Sequence, residues 1–360
     1  MTRALTTLRQ IAQAKLIDAK DVGALAPVAA RYAVAISPAL ADLIDPTDAA
    51  DPIARQFVPS LEELRTTPEE ISDPIGDDRH SPVRGIVHRY ADRVLLKLTH
   101  ICPVYCRFCF RRETVGGSHG PGLTQSDLDA ALNYIEDHSE IWEVILTGGD
   151  PLVLSPRKLQ EITQRLASFE HVKIVRWHTR MPVAKPSAIN EELIAALKAA
   201  RKTTYVVLHA NHPRELTIEA RAACAMLIDA GIAMLSQSVL LKGVNNDAGT
   251  LEMLMRALVE TGVKPYYLHH ADLAPGTAHF RTEIKEGQEL MRTLHARASG
   301  LCLPTYVLDI PGGFSKAKLE LCDVELPPGG HQPGAPPHLI RDSEGEHHPY
   351  PVSHKNEPFA

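Results

Sequence analysis

Three of the six cysteines in this 360-residue chain fall within eight positions: Cys102, Cys106 and Cys109 of "THICPVYCRFCFRR", a segment closed by two arginines. A Cys-x3-Cys-x2-Cys loop supplies three thiolates from one short stretch. Three suit a cubane iron–sulfur cluster whose fourth iron stays open to an outside ligand. A structural zinc ion asks for four ligands, usually as two separated pairs, and His100 or His119 would have to complete the set. Cys106 and Cys109 alone have the spacing of a redox pair, but nothing around them resembles a thioredoxin unit. The spacing fits the open cluster best, and the other two readings stay open. Cys224, Cys302 and Cys322 stand apart and read as small buried hydrophobes or inert thiols.

Other reactive residue types recur at intervals. "TGGDP" places Gly148 and Gly149 where backbone can approach a ligand closely, although a turn into a proline would also use them. Further on come "HTR", "HANHP" with His209, Asn211 and His212, "SQS" with Gln237, "HHAD" with Asp272, and "DIPGGFSK" with Asp309 and Lys316.

These residues end or interrupt apolar runs, from "RVLLKLT" and "WEVILT" to "LPTYVLDI". Helix-like segments separate the runs, such as "TQSDLDAALNYIEDH" and "SPRKLQEITQRLASF", the latter with Ser155 as N-cap and Pro156 at the first helical position. Six strand–helix units and a seventh strand predict an α/β fold with a parallel sheet and right-handed crossovers. Such sheets place their sites at the C-terminal ends of strands, so the successive strand ends predict one composite site.

Residues 1–90 read as a mostly helical extension, with Ser60 and Glu63 at capping-box spacing and "DPIGDDRHSPV" as a connector. Residues 91–316 form the predicted core. Residues 317–360 form a tail rich in Pro, Gly and His, with room for one hairpin in "HLIRDSEGEHHPYPV". A net charge of −6 and 5% aromatic residues give no reason to expect nucleic acid or an anionic membrane as partner. The N-terminal segment scatters its charges and has no continuous apolar run, so neither a signal peptide nor a transmembrane helix is expected. The cysteine usage is not that of a disulfide framework, and the cytoplasm is the expected compartment.

The cysteine spacing, Phe108 just before the third cysteine, and "TGGD" after the second strand together resemble the radical S-adenosylmethionine (SAM) superfamily. That resemblance implies a partial (β/α)6 TIM-like barrel with a [4Fe-4S] cluster on Cys102, Cys106 and Cys109. SAM would chelate the open iron, with Gly148, Gly149, Asp150 and His209 along it and Asn211 and His212 nearby. From about Ser37 to Tyr350 the chain is also similar to the lysine 2,3-aminomutase family. The carriers are "LIDPTDAADPIARQ", "HRYADRVLLKLTHICPVYCRFCFRR", "HANHPRELT", "QSVLLKGVN", "KPYYLHHADL", "HFRTEI" and "LPTYVLDIPGGFSK".

The family resemblance implies an isomerase that interconverts L-lysine and β-lysine with SAM and pyridoxal phosphate (PLP). Lys316 matches the Schiff-base lysine, Arg93 and Gln237 the binding positions of the PLP phosphate, and Arg111 the position for the substrate α-carboxylate. Arg112 reads as a solvated neighbour. Asp272 and Asp309 match the carboxylates that grip the lysine ammonium. Two carboxylates facing one pocket repel unless a cation lies between them, and without it one takes up a proton. The pair therefore favours a long cation and rejects glutamate; arginine remains an alternative substrate. The resemblance further implies an electron donor such as flavodoxin or ferredoxin, and allows a homo-oligomer. Some members carry zinc on cysteines of a longer C-terminal segment, and no structural zinc is expected here. His269 replaces an aromatic residue, and "GGFSK" a run of glycines. "GGDPL" is closer to members that make β-lysine for elongation factor P, an alternative role.

Overall fold

The computed structural model describes residues 3–116, 120, 122–320, 324–325, 338–341 and 346–350. His119 and Cys322 lie outside them. The N-terminal segment carries α1 (Leu8–Gln13), α2 (Val22–Arg31), α3 (Pro38–Ala41) and α4 (Pro52–Phe57). Local chemistry starts these helices. Thr7 closes a capping box on α1, and Asp51 accepts from the N–H groups of Ile53 and Ala54 ahead of Pro52. The predicted Ser60–Glu63 box is present and opens a single 3-10 turn, Leu61–Leu64.

The core is a nine-stranded sheet whose strands neighbour one another in chain order. The strands are β1 (Ile86–Tyr90), β2 (Arg93–Thr99), β3 (Glu143–Gly148), β4 (Ile174–Thr179), β5 (Thr203–His209), β6 (Ala233–Leu240), β7 (Lys264–His270), β8 (Thr305–Asp309) and β9 (Lys316–Lys318). From β2 to β8 every pairing is parallel. The crossovers carry α5 (Gln125–Asp137), α6 (Pro156–Ala167), the short α7 (Met181–Ala184) with α8 (Glu191–Lys198), α9 (Ile218–Asp229), α10 (Ala248–Glu260) and α11 (Ile284–Arg297). Those are the six predicted strand–helix units and the seventh strand.

Strand residues alternate between faces. On β2, Val94, Leu96 and Leu98 are buried in the apolar cluster that also holds Leu128, Leu132 and Ile135 of α5. The intervening residues are the half-buried ones. One face of the curled sheet thus packs on helices while the other stays open to a cavity. No helix among the described residues is long and apolar enough to cross a membrane.

Two strands of this sheet, β1 and β9, escaped the sequence reading, and both expected boundaries fall inside the sheet. β1 pairs antiparallel with β2, Tyr90 opposite Arg93, so residue 90 sits at the tip of a hairpin. Its sequence, "IVHRY", follows two apolar residues with polar ones and shows no alternation. β9 is three residues long, too short for any period, and pairs antiparallel with β8. The tail hairpin is present: β11 (His338–Arg341) pairs with β12 (His347–Tyr350), and β10 (Val324–Glu325) adds a third strand.

Candidate active site

The cysteine loop leaves β2 and is held by the helical extension. The backbone N–H of Tyr105 donates to Ala35 O at 3.0 Å, and that of Arg107 to Gln56 O at 2.8 Å. Arg107 Nε donates to both oxygens of Glu63 at 3.0 Å, and its Nη1 to Ala33 O at 2.8 Å. Arg112 is not the solvated neighbour expected: it is buried and pairs with the same Glu63. It also donates to Arg107 O at 2.8 Å and Gly276 O at 3.1 Å, its guanidinium 3.6 Å from the Tyr32 ring centroid. The turn after Cys109 folds back on the extension and carries Arg112 inward. Burial alone would raise the Glu63 carboxyl; the two guanidiniums outweigh it and hold it below the usual range.

Cys102, Cys106 and Cys109 border one small cavity of about 50 Å³. Among the described residues no three His, Cys, Asp or Glu side chains converge to share a single ion. Burial pushes the thiols up, Cys106 to about 11, so metal would enter by displacing protons. Cys224 and Cys302 are buried and unbridged, as expected.

The glycine pair answers to the protein's own backbone. Gly148 has φ +120°, and a Cβ there would stand 2.5 Å from Thr99 O; a Cβ on Gly149 would stand 2.3 Å from Ile101 O. Both glycines let the end of β3 abut the cysteine loop, where Asp150 N donates to Ile101 O at 2.9 Å. Gly149→Ala should therefore cost about 1–3 kcal/mol by overpacking, seen as a lower Tm and poorer iron uptake. An unchanged Tm and iron content would remove this role.

Asp150, expected beside SAM, commits its carboxylate to the protein. It accepts from Thr179 Oγ1 at 2.8 and 2.9 Å, Arg180 N at 2.8 Å and Leu152 N at 3.0 Å. His212 likewise caps the turn at Pro213–Glu215, and Asn211 bonds Gln56 and Val239 N. His209 does face the main cavity, 3.2 Å from His178, and burial pulls its imidazole down to about 3.

That main cavity, about 460 Å³, collects residues two apart on three of the strands: Arg176 and His178 of β4, Gln237 and Val239 of β6, Tyr267 and His269 of β7. Arg93, Arg111, Asp272, Asp309 and Lys316 line it too, as do Cys106 and Cys109. The predicted PLP and substrate residues and two of the cysteines thus share one chamber.

The β8–β9 register sets Lys316 opposite Asp309, with Nζ 2.6 and 2.5 Å from the two carboxylate oxygens. His269 Nδ1 stands 3.3 Å and Arg89 Nη1 3.4 Å from the same carboxylate. Burial would raise the Asp309 carboxyl, but His269 and Lys316 outweigh it and hold it well below the usual range. Asp272, two residues past β7, is the opposite case: burial and then Asp309 push it up to about 7. This is the divergence expected of two carboxylates in one pocket. Arg93 is partly exposed, its Nη1 2.6 Å from Asp92 and its guanidinium 3.9 Å from the Tyr90 ring centroid.

The sequence reading missed Arg89, Asp77, Glu63, Arg180 and Glu215. Arg180 pairs with Glu215 in the buried wall beside Phe57 and Phe108. Each of these ion pairs joins distant segments, and no spacing within the chain signals them.

A parallel partial barrel carrying a three-cysteine loop defines a class, and the family model for the Radical SAM superfamily matches residues 96–254. The L-lysine 2,3-aminomutase of Clostridium subterminale is 41% identical over 283 residues, covering 79% of this chain and 68% of that protein. The L-lysine 2,3-aminomutase of Acetoanaerobium sticklandii is likewise 41% identical over 283 residues, with 79% and 68% covered. Glutamate 2,3-aminomutase of Clostridioides difficile is 35% identical over 321 residues, 89% of this chain and 75% of that one. The chain belongs to the lysine 2,3-aminomutase family of radical SAM enzymes, and its activity is that of an aminomutase, an isomerase.

Proposed function

We propose that this aminomutase interconverts L-lysine and β-lysine. The carrying observation is that Asp272 and Asp309 share one cavity with Arg111 and Lys316. An anionic side chain such as that of glutamate would face two carboxylates, whereas an ammonium between them relieves their repulsion. Cys102, Cys106 and Cys109 would hold a [4Fe-4S] cluster, with SAM at its open iron. Lys316 would hold PLP, and Arg93 and Gln237, both on the cavity wall, would take its phosphate. When bound, cluster and SAM supply hydrogen abstraction from an unactivated methylene, and PLP supplies the π-system across which nitrogen moves. The chain's own part is aim: Arg111 fixes the carboxylate end, Asp272 and Asp309 the ammonium end, so the chain between them has one orientation. An oxygen-sensitive thiol site suits the reducing cytoplasm. Cys102 also borders a second cavity of about 1170 Å³, and we assign that side to an electron donor of flavodoxin or ferredoxin type.

The test is an anaerobic assay of lysine, arginine and glutamate with SAM, PLP and a strong reductant, resolving α- from β-amino acids. Lysine should turn over and glutamate should not; the reverse order refutes the assignment. Asp272 adds a pH signature. Its raised carboxyl is neutral below about 7 and ionised above it, and the ammonium needs the ionised form. The KM for lysine should therefore fall as pH rises, roughly tenfold per unit below pH 7, and level off by about pH 8. A flat profile over that range would remove Asp272 from the ammonium site.

A further inference from the structure

Asp77 sits in the connector ahead of β1, a stretch whose composition announces only a turn. The fold carries its carboxylate inward and surrounds it with cations from three segments. Arg111 of the cysteine loop presents Nε and Nη2 to one oxygen, Oδ2, both at 3.0 Å. Lys97 of β2 lies 3.4 Å from the same oxygen, and Arg89 of β1 lies 3.7 Å from Oδ1. These cations outweigh the burial that would raise the Asp77 carboxyl and keep it ionised.

A guanidinium has five N–H donors, one on Nε and two on each terminal nitrogen. Asp77 accepts from Nε and holds Nη2 in an ion pair, and Thr147 Oγ1 accepts from Nη1 at 3.3 Å. One N–H remains on Nη1 and at least one on Nη2, and one from each is what a carboxylate needs for parallel bonds. Resting on the reading that Arg111 takes the substrate α-carboxylate, we infer that Asp77 is the positioning residue that fixes the Arg111 guanidinium and keeps its terminal nitrogens for the substrate.

The mount is rigid. Asp77 N donates to Asp73 Oδ1 at 2.9 Å, and Ser81 Oγ donates to Asp77 O at 2.8 Å. Arg79 Nη1 donates to Gly312 O at 3.0 Å, and His80 Nε2 stands 3.0 Å from Gly313 O, so the connector is locked to the turn before Lys316. Arg111 also lies within the field of Asp272, the carboxylate assigned to the ammonium. Without Asp77, that anion would compete for the guanidinium.

The test is equilibrium binding of L-lysine and L-lysinamide to cluster- and PLP-loaded enzyme without reductant, so that nothing turns over. Lysinamide keeps the cation and loses the carboxylate. Asp77→Asn should cut the preference for lysine over lysinamide roughly tenfold or more, mainly by weakening lysine. Asp77→Glu, which keeps the charge, should restore most of it. Equal weakening of both ligands, or a preference unchanged in the Asn variant, overturns the proposal. Arg111→Ala separates the two levels of inference. If it leaves the wild-type preference intact, the carboxylate site itself is wrong and Asp77 falls with it. If it abolishes the preference and Asp77→Asn does not reduce it, only the role of Asp77 is lost.

Discussion

Lys316→Ala should lower amino migration by at least about a thousandfold, the scale seen when a covalent catalytic group is removed. Lys316 lies beside the Asp309 carboxylate because strand register puts it there, and the amine is partly exposed to the cavity, with 30% of its side chain accessible. Borohydride treatment with PLP should trap the cofactor on wild-type protein at this residue and on the variant nowhere. Label recovered from another lysine would refute the assignment. Lys316→Arg provides the contrast. It preserves a cation against Asp309, so Tm and iron content should stay close to wild type while trapping is still lost. A variant that lost iron and cofactor together would point to a structural role for the lysine instead.

Glu63→Ala should be the most damaging single change to stability. It leaves the Arg107 and Arg112 guanidiniums buried without their shared carboxylate, and breaking a buried pair in this way costs about 3–5 kcal/mol. Both arginines flank Cys109 in the chain, so the loss falls on the loop that carries the thiols. Denaturant unfolding should show a lower midpoint, and iron bound after anaerobic reconstitution should drop with it. Glu63→Gln, which keeps the acceptor and loses the charge, should fall between. An alanine variant with a native midpoint and full iron would show that the extension does not hold the loop.

The parallel strands were legible because each is an apolar run of ordinary length, and all but the last lead to a helix, several with side-chain caps such as Thr124, Ser155 and Thr217. β1 and β9 were not, the first for want of alternation and the second for want of length. The chemistry was legible by residue type, but less so by partner. Gly148 and Gly149 do admit a close approach, yet what comes close is the carbonyl of Thr99 or Ile101. Glu63 was visible as half of a capping box, and it does bond Ser60 N at 2.8 Å. Its second task, neutralising arginines more than forty positions away, depends on tertiary approach. Arg112 was misread for the same reason, since adjacency to Arg111 says nothing about which way a turn will fold.

The nine-stranded sheet runs from β1 to β9 without those two strands pairing with each other. A sealed eight-stranded cylinder fills its middle with side chains; an unsealed one leaves that volume for guests. Here the seam is fastened by charge, Arg89 of β1 reaching Asp309 of β8, the strand next to the far edge. Across that seam the two edges thus meet through side chains and connectors, with no strand pairing between β1 and β9.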